Sequence, residues 1–267
     1  MQNKNMPTSN ILKDDFNWEI PFERVPLPSK GVIYHPDSKL YNKESINIKA
    51  MTALEEDILS SQAFIKEGTS VARAIQSCIV EDNIDVDEMI SGDKNALMIS
   101  MRITGYGSRY PVLHSCEKCA SQNEVDVQLN ELAINRLSEE PVVKGENKFR
   151  FLLPVSGKEV IFKFLTGYDE KEEKIKKQRM KNMGINLDNN VTSFLEQSIL
   201  SIDNITDKNK ISHFIKHMPA MDSRKLRLHI IKQEPGIDMT WNYVCNSCTH
   251  NNELGIPIST EFFWPST

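Results

Sequence analysis

The sequence predicts an α+β fold in which one unit occurs twice, the two copies meeting at a pair of cysteine knuckles. Three observations predict it. First, Cys116-Glu117-Lys118-Cys119 and Cys245-Asn246-Ser247-Cys248 lie in segments that align without a gap at a shift of 129 residues. Asp93 then falls on Asp222, Gly107 on Gly236, and Asn123-Glu124 on Asn252-Glu253. Second, the match continues upstream at smaller offsets. Gln76-Ser77 and Asp82-Asn83-Ile84 pair with Gln197-Ser198 and Asp203-Asn204-Ile205, and Ile48–Thr52 resembles Phe162–Thr166. Third, both spans mix short alternating stretches with longer helical ones, the α+β pattern. Two repeats are too few for a solenoid. The expectation is a pseudo-two-fold domain with a zinc-ribbon-like four-cysteine junction.

Residues 1–24 read as an N-terminal arm, in which Phe16, Trp18, Ile20 and Phe22 alternate as in a strand or a docking segment. The first repeat spans 25–138. Pro26, Pro28 and Gly31 set turns before a short strand near 32–34, and 45–51 is a second strand. Thr52 and Glu55 form a capping box that opens a helix over 53–66. Gly68-Thr69 breaks it, and a further helix runs to Val80. Asp93 caps a helix ending near Gly105, with Leu97, Met98 and Met101 on one face. Residues 110–130 hold a strand, the first knuckle and the alternating strand Val125–Leu129.

Residues 139–147 read as the linker, and 148–267 as the second repeat. It opens with a hairpin, 149–153 and 159–164, turning at Ser156-Gly157. Helices follow at 168–182, 191–202, 208–217 and 223–233, the last capped by Asp222. A knuckle strand at 252–258 leads to the aromatic tail Phe262, Phe263 and Trp264.

The 267 residues carry a net charge of −5 with a pI near 5.8, which argues against a general grip on nucleic acid. No apolar run reaches the length of a membrane span. The polar stretch from Met1 to Asp15 offers no secretory core, so folding in a cytoplasm with reduced thiols is expected. Four of five cysteines stand in CxxC pairs, which there favours metal over disulfides. Cys78, inside Ala74–Val80, reads as a buried thiol.

A two-residue spacer lets one tight turn present both sulfurs, so Cys116, Cys119, Cys245 and Cys248 are the candidate ligands of one tetrahedral site. Structural Zn2+ is the expected ion. An iron–sulfur cluster and a metal-free knuckle are the alternatives. His114 and His250 lie nearby, but four thiolates already fill the coordination sphere, which leaves no open position for catalysis.

In the run Asp169–Arg179, Glu170/Lys174, Glu172/Lys176 and Glu173/Lys177 sit four apart and read as a solvated helix face. Its basic end, Lys174 to Lys181, is the alternative partner surface. Gly105-Tyr106-Gly107-Ser108 lacks the lysine of a phosphate loop and reads as helix termination, with Arg102 and Tyr106 packing near the first knuckle. His213, His217 and His229 follow no ligand pattern. No nucleophile elbow, carboxylate pair or nucleotide fingerprint occurs, so neither an enzyme nor a small-molecule substrate is expected. The aromatic ends, Phe16, Trp18, Ile20 and Phe22 with Phe262, Phe263 and Trp264, are the candidate partner-binding residues. Folding of both ends back onto their own domain is the alternative.

Leu27-Pro28-Ser29-Lys30-Gly31 with Tyr34, then Asp93 to Arg102-Ile103-Thr104-Gly105-Tyr106-Gly107 with Tyr110, then Cys116-x-x-Cys119, occur in this order. Together they resemble the baseplate protein family of T-even-like contractile-tailed phages, mainly over residues 25–130. The resemblance implies a structural or assembly role at the baseplate hub, with other hub or wedge proteins as partners. It implies a place in the host bacterial cytoplasm during assembly and then in the virion tail. A zinc-ribbon nucleic-acid-binding protein is the alternative function.

Overall fold

The computed structural model describes residues 11–13, 19–182, 190–257 and 260–263. Strands β1 (Ile11–Lys13), β2 (Glu19–Pro26) and β3 (Ser45–Lys49) form one antiparallel sheet. Helices α1 (Ala53–Ser60), α2 (Gln62–Glu67), α3 (Ser70–Cys78) and α4 (Ser91–Tyr106) follow, then the hairpin β4 (Arg109–Ser115) and β5 (Gln122–Gln128), then β6 (Ile134–Asn135). The second sheet consists of β7 (Phe149–Leu152), β8 (Glu159–Phe162) and β9 (Ile199–Ile202), with α5 (Gly167–Asn182) and α6 (Asn190–Ser198) inserted before β9. Helices α7 (Lys208–His217) and α8 (Ala220–Gln233) lead to β10 (Gly236–Ile237) and to the hairpin β11 (Thr240–Val244) and β12 (Asn251–Gly255). β10 pairs antiparallel with β6 and ties the two spans together.

Burial explains the layering. β3 alternates, sending Ile46 and Ile48 into a core shared with Leu59, Ala74, Ile75 and Cys78. Burial pushes the Cys78 thiol up to about 12, as an inert core sulfur requires. α4 is buried on more than one face: Ala96, Leu97, Met98, Ile99 and Met101 are all covered. Such a helix has neighbours around most of its girth. β2 and β3 lie against it, as do β10 and the segment Thr260–Phe263.

The two sheets feed α4 and α8 in the same way. Leu27-Pro28-Ser29-Lys30-Gly31 leaves β2 and Leu153-Pro154-Val155-Ser156-Gly157 leaves β7, with Gly31 and Gly157 at φ 70° and 65°. That left-handed backbone favours glycine. Asp93 Oδ1 accepts from the Ser29 amide at 2.9 Å, and Asp222 Oδ1 from the Val155 amide at 2.7 Å. A second recurring set follows each sheet. The Thr52 amide donates to Glu55 at 2.9 Å with Lys49 Nζ 3.1 Å from that carboxylate; the Thr166 amide donates to Asp169 at 3.0 Å with Lys163 Nζ at 2.6 Å.

Several expectations are corrected. Asp93 and Asp222 do not cap their helices. α4 starts after Ile90 and α8 after Pro219, so both carboxylates sit inside the first turn and serve distant loops. Residues 32–34 belong to turns rather than a strand. The helix over 53–66 is two helices, broken at Ser61 where ψ reaches 113°. The end of the helix over 191–202 is strand β9, because Ile202 and Ser201 pair with Val160 and Ile161 of β8. α5 does present a solvated face, Glu172 and Lys174–Arg179 being exposed, but of the three expected pairs only Glu173–Lys177, at 2.8 Å, forms among the described residues. Glu170 instead bonds Ser91 at 2.7 Å and Lys94, Lys171 bonds Asp87, and Lys176 lies 3.6 Å from Glu196. Residues 139–147 are pinned to the first span, with the Gly145 amide on the Val32 carbonyl at 3.0 Å.

Candidate metal centre

Each cysteine pair sits at the tip of a two-stranded hairpin. β4 and β5 pair from Arg109↔Gln128 to Ser115↔Gln122, and β11 and β12 from Thr240↔Gly255 to Val244↔Asn251. The tips close alike. The Cys116 amide donates to the Ser121 carbonyl and the Ala120 amide to the Cys116 carbonyl, both at 2.9 Å. The Cys245 amide reaches the His250 carbonyl at 2.9 Å and the Thr249 amide the Cys245 carbonyl at 3.0 Å. Ala120 and Thr249 take φ of 56° and 57°, a left-handed conformation disfavoured by roughly 1–2 kcal/mol for residues with a Cβ. The turn that aims both sulfurs requires it.

The two tips then fix each other. The Glu117 amide donates to Asn252 Oδ1 and the Asn246 amide to Asn123 Oδ1, both at 3.0 Å. Each buried asparagine also donates into its own tip, Asn123 to the Ser121 carbonyl and Asn252 to the His250 carbonyl. Behind them His114 Nδ1 lies 2.9 Å from the Tyr243 hydroxyl, the two rings edge-on at 90°.

This geometry brings the four sulfurs together. Cys116 and Cys248 Sγ are 3.7 Å apart, as are Cys119 and Cys245 Sγ, and all four lie within 4.8 Å of one another. A tetrahedron with metal–sulfur bonds of about 2.3 Å has edges of about 3.8 Å, whereas a disulfide is about 2.05 Å long. The set is therefore four free thiols at the spacing of a metal site.

Local donors favour thiolates. The Ser121 hydroxyl, with the amides of Cys248 and Ser247, holds Cys245 down at about 5. Burial opposes ionisation of Cys116, but the amides of Cys119 and Lys118 outweigh it and its pKa falls. At Cys248 the His250 amide favours the thiolate, yet burial and the surrounding sulfurs push it up to about 12. Four thiolates cannot share this volume without a cation; a metal ion would displace the retained proton and offset part of the cluster's negative charge.

A sequence model of the T4 bacteriophage base plate protein family matches residues 28–264. The chain belongs to this family. No curated protein and no solved structure matches it. The base plate match spans both cysteine hairpins, so the resemblance read over residues 25–130 extends across the second span. As a phage base plate protein the chain works among other base plate proteins in the virion tail.

The remaining candidate residues of this base plate protein fare differently. Phe262 and Phe263 are fully buried, which corrects their assignment to a partner surface. The Phe262 ring meets Tyr110 edge-on at 5.1 Å, and its carbonyl accepts from Arg102 Nε at 2.9 Å. Arg102 also reaches the Gly107 and Arg109 carbonyls at 2.7 and 3.3 Å, so one buried guanidinium joins the end of α4, the start of β4 and the C-terminal segment. Ile20 and Phe22 lie half-buried in β2. Phe16, Trp18 and Trp264 fall outside the described residues. No helix among the described residues is long and apolar enough to cross a membrane. Sequence reasoning gave no role to Asn123 and Asn252, although their match at the knuckle offset was the available signal.

Proposed function

We propose that this base plate protein is a non-enzymatic structural or assembly component of the baseplate hub. It acts through protein–protein contacts and is stapled by one Zn2+ on Cys116, Cys119, Cys245 and Cys248. The observation that carries the zinc reading is the reciprocal asparagine bonding of the two tips, which supports sulfurs at tetrahedral spacing. All four positions would be filled by thiolates, so the ion would be structural. We also read 25–138 and 148–267 as copies of one unit, the pseudo-two-fold axis passing between His114 and Tyr243. The shared hairpin registers, the paired loops on Asp93 and Asp222 and the two Thr–acid–Lys sets support that reading. The arm 1–24, with Phe16, Trp18, Ile20 and Phe22, is the proposed partner element, together with Trp264. Hub or wedge proteins are the partners, met in the host cytoplasm during assembly.

Elemental analysis of protein purified under reducing conditions should find one zinc per chain and no acid-labile sulfide. Replacement by Co2+ should give thiolate charge-transfer absorption and tetrahedral ligand-field bands. Four freely reactive thiols in a folded, metal-free chain would sink the zinc reading, and stoichiometric iron with sulfide would replace it. Deleting 1–18, which removes Phe16 and Trp18 but spares β2, should leave a folded, metal-loaded chain that no longer joins the hub; a normal yield of infectious tails from that truncation rules out the arm.

A further inference from the structure

Helix α8 has two unlike sides. Leu226 and Ile230 face the core, and Asp222 is buried under the Val155 loop. Met221, Leu228 and Ile231 face outward, exposed by 51%, 51% and 62%. At about 100° per residue these three fall on one stripe of the helix, with Arg224 beside Ile231 and with Lys225 and Lys232 on the opposite flank. Val155, 59% exposed and hydrogen-bonded through its amide to Asp222, extends the apolar stripe past the start of the helix.

The charge here runs against the rest of the chain. Residues 208–233 contain seven lysines and arginines against one acid, Asp222, a net +6 within a protein of net −5. Among the described residues no salt bridge engages Arg224, Lys225 or Lys232. α4 supplies the contrast. The residues at the matching positions, Gly92, Ile99 and Arg102, are all buried. Pro235-Gly236 covers Gly92, and the C-terminal segment at Phe262 covers Arg102. On α4 this face is a packing face. On α8 it carries three exposed apolar side chains, and no described segment covers it.

We propose that the outward face of α8 docks an acidic amphipathic helix of another protein. The partner's apolar stripe would pack on Met221, Leu228 and Ile231, while carboxylates on its flanks would meet Arg224, Lys225 and Lys232. Cations alone would serve any polyanion. Three large apolar side chains in the centre of the cationic face favour a protein helix over nucleic acid, which offers phosphates but no apolar stripe. This surface is a second contact for the assembly role proposed above, and it rests on that role only for the partner being a protein.

The probe is a fluorescently labelled designed helical peptide with a leucine stripe flanked by glutamates. It is titrated into the full-length, metal-loaded chain while anisotropy is followed. Saturable one-to-one binding is expected. Leu228→Glu and Ile231→Glu should each weaken it tenfold or more, and Lys225→Glu severalfold with a shallower salt dependence. Leu54→Glu, on the exposed face of α1, should leave it unchanged. Metal content and circular dichroism of each variant, measured before titration, separate lost docking from lost folding.

Four outcomes overturn the proposal: no saturable binding, equal binding of a glutamate peptide without leucines, tighter binding of duplex DNA or anionic vesicles that Leu228→Glu does not affect, or a dimer in sedimentation that Leu228→Glu dissolves. A chain that holds its metal and assembles hubs but fails to bind the peptide removes this surface and leaves the proposed function standing.

Discussion

Helices α4 and α8 begin alike and end differently. Each receives a Leu-Pro loop on an aspartate in its first turn, and each leads into a cysteine hairpin. α4 is wrapped by chain from the second span, whereas α8 shows one face to solvent. The aspartates respond to this setting. Asp93 accepts from the Ser29 amide at 2.9 Å, the Ser29 hydroxyl at 2.5 Å and the Tyr34 hydroxyl at 2.6 Å, and burial still pushes its pKa up. At Asp222 burial opposes ionisation too, but the amides of Val155 and Ser156 prevail and its pKa falls. A shared hydrogen-bonding plan thus yields opposite electrostatics, because burial outweighs the donors at Asp93 whereas the donors outweigh burial at Asp222.

The largest expected effect is the one the two spans should share equally. Cys116→Ser and Cys245→Ser should each abolish stoichiometric metal binding and lower Tm by about 10 °C or more, for a loss of about 4 kcal/mol or more. Thermal unfolding with metal analysis checks this. A pronounced effect from only one of the two would show that the hairpins do not share a site.

Next comes a pair of positions where the spans should differ most. A Cβ on Gly92 would lie 1.7 Å from the Pro235 carbonyl oxygen, and backbone cannot step aside as a side chain can. Gly92→Ala should therefore cost about 3 kcal/mol, the upper range for overpacking. Met221, its counterpart on α8, is half exposed, and Met221→Ala should change stability by no more than about 0.5 kcal/mol. Equal denaturant midpoints for the two variants would erase the distinction between a covered and an open helix.

These contrasts show what the chain makes readable. The CxxC pairs, the strand β3 and the helix α7 are legible because each rests on local spacing. The paired loops Leu27–Gly31 and Leu153–Gly157 escaped notice because the first is followed by a longer excursion before its next strand, which shifts the offset between the spans. Ile199–Ile202 reads as helix because it follows α6 without a break, and only β8 supplies the ladder that makes it β9. Phe262 and Phe263 looked like surface anchors because nothing local announces Arg102, far away in the chain, as the group that seats them. In each miss a tertiary partner decided the outcome.

Amide substitution should separate the aspartates. In Asp93→Asn the new NH2 group would face the hydroxyls of Ser29 and Tyr34, which can turn to accept, so the loss should be about 1 kcal/mol. In Asp222→Asn it would face the Ser156 amide, donor against donor, and the loss should be about 2–3 kcal/mol. The pH dependence has opposite sign at the two sites. The depressed Asp222 contributes stability above its unfolded value near 3.9 that is lost as pH falls through its folded pKa. The raised Asp93 contributes most in acid, and its contribution declines as pH climbs from about 3.9 through its folded pKa. Urea denaturation across pH 3–7 should find a flatter acid limb for Asp222→Asn only; a larger loss for Asp93→Asn than for Asp222→Asn would refute the argument from donors.

An effect confined to one end of the pH range concerns the helix ends, where α4 carries Gly105 and α8 carries Glu234. A Cβ on Gly105 would meet only the Met51 side chain. Glu234 is held up at about 7, chiefly by burial and then by the Glu170 carboxylate, which is itself engaged by Ser91 and Lys94. Its unfolded value is near 4.3, so the native state keeps this proton over the interval between the two. The stability it supplies is complete below about pH 4.3 and is lost as pH rises through about 7. Glu234→Gln keeps the shape and has no charge to develop. At pH 8 that variant should be more stable than the parent by on the order of 1–2 kcal/mol, and at pH 4.5 the two should coincide. Denaturant titrations at both pH values decide it. A gain of the same size at pH 4.5 would place its origin in packing, and a loss at pH 8 would mean that the carboxylate at the end of α8 is stabilised by a partner rather than strained by its burial.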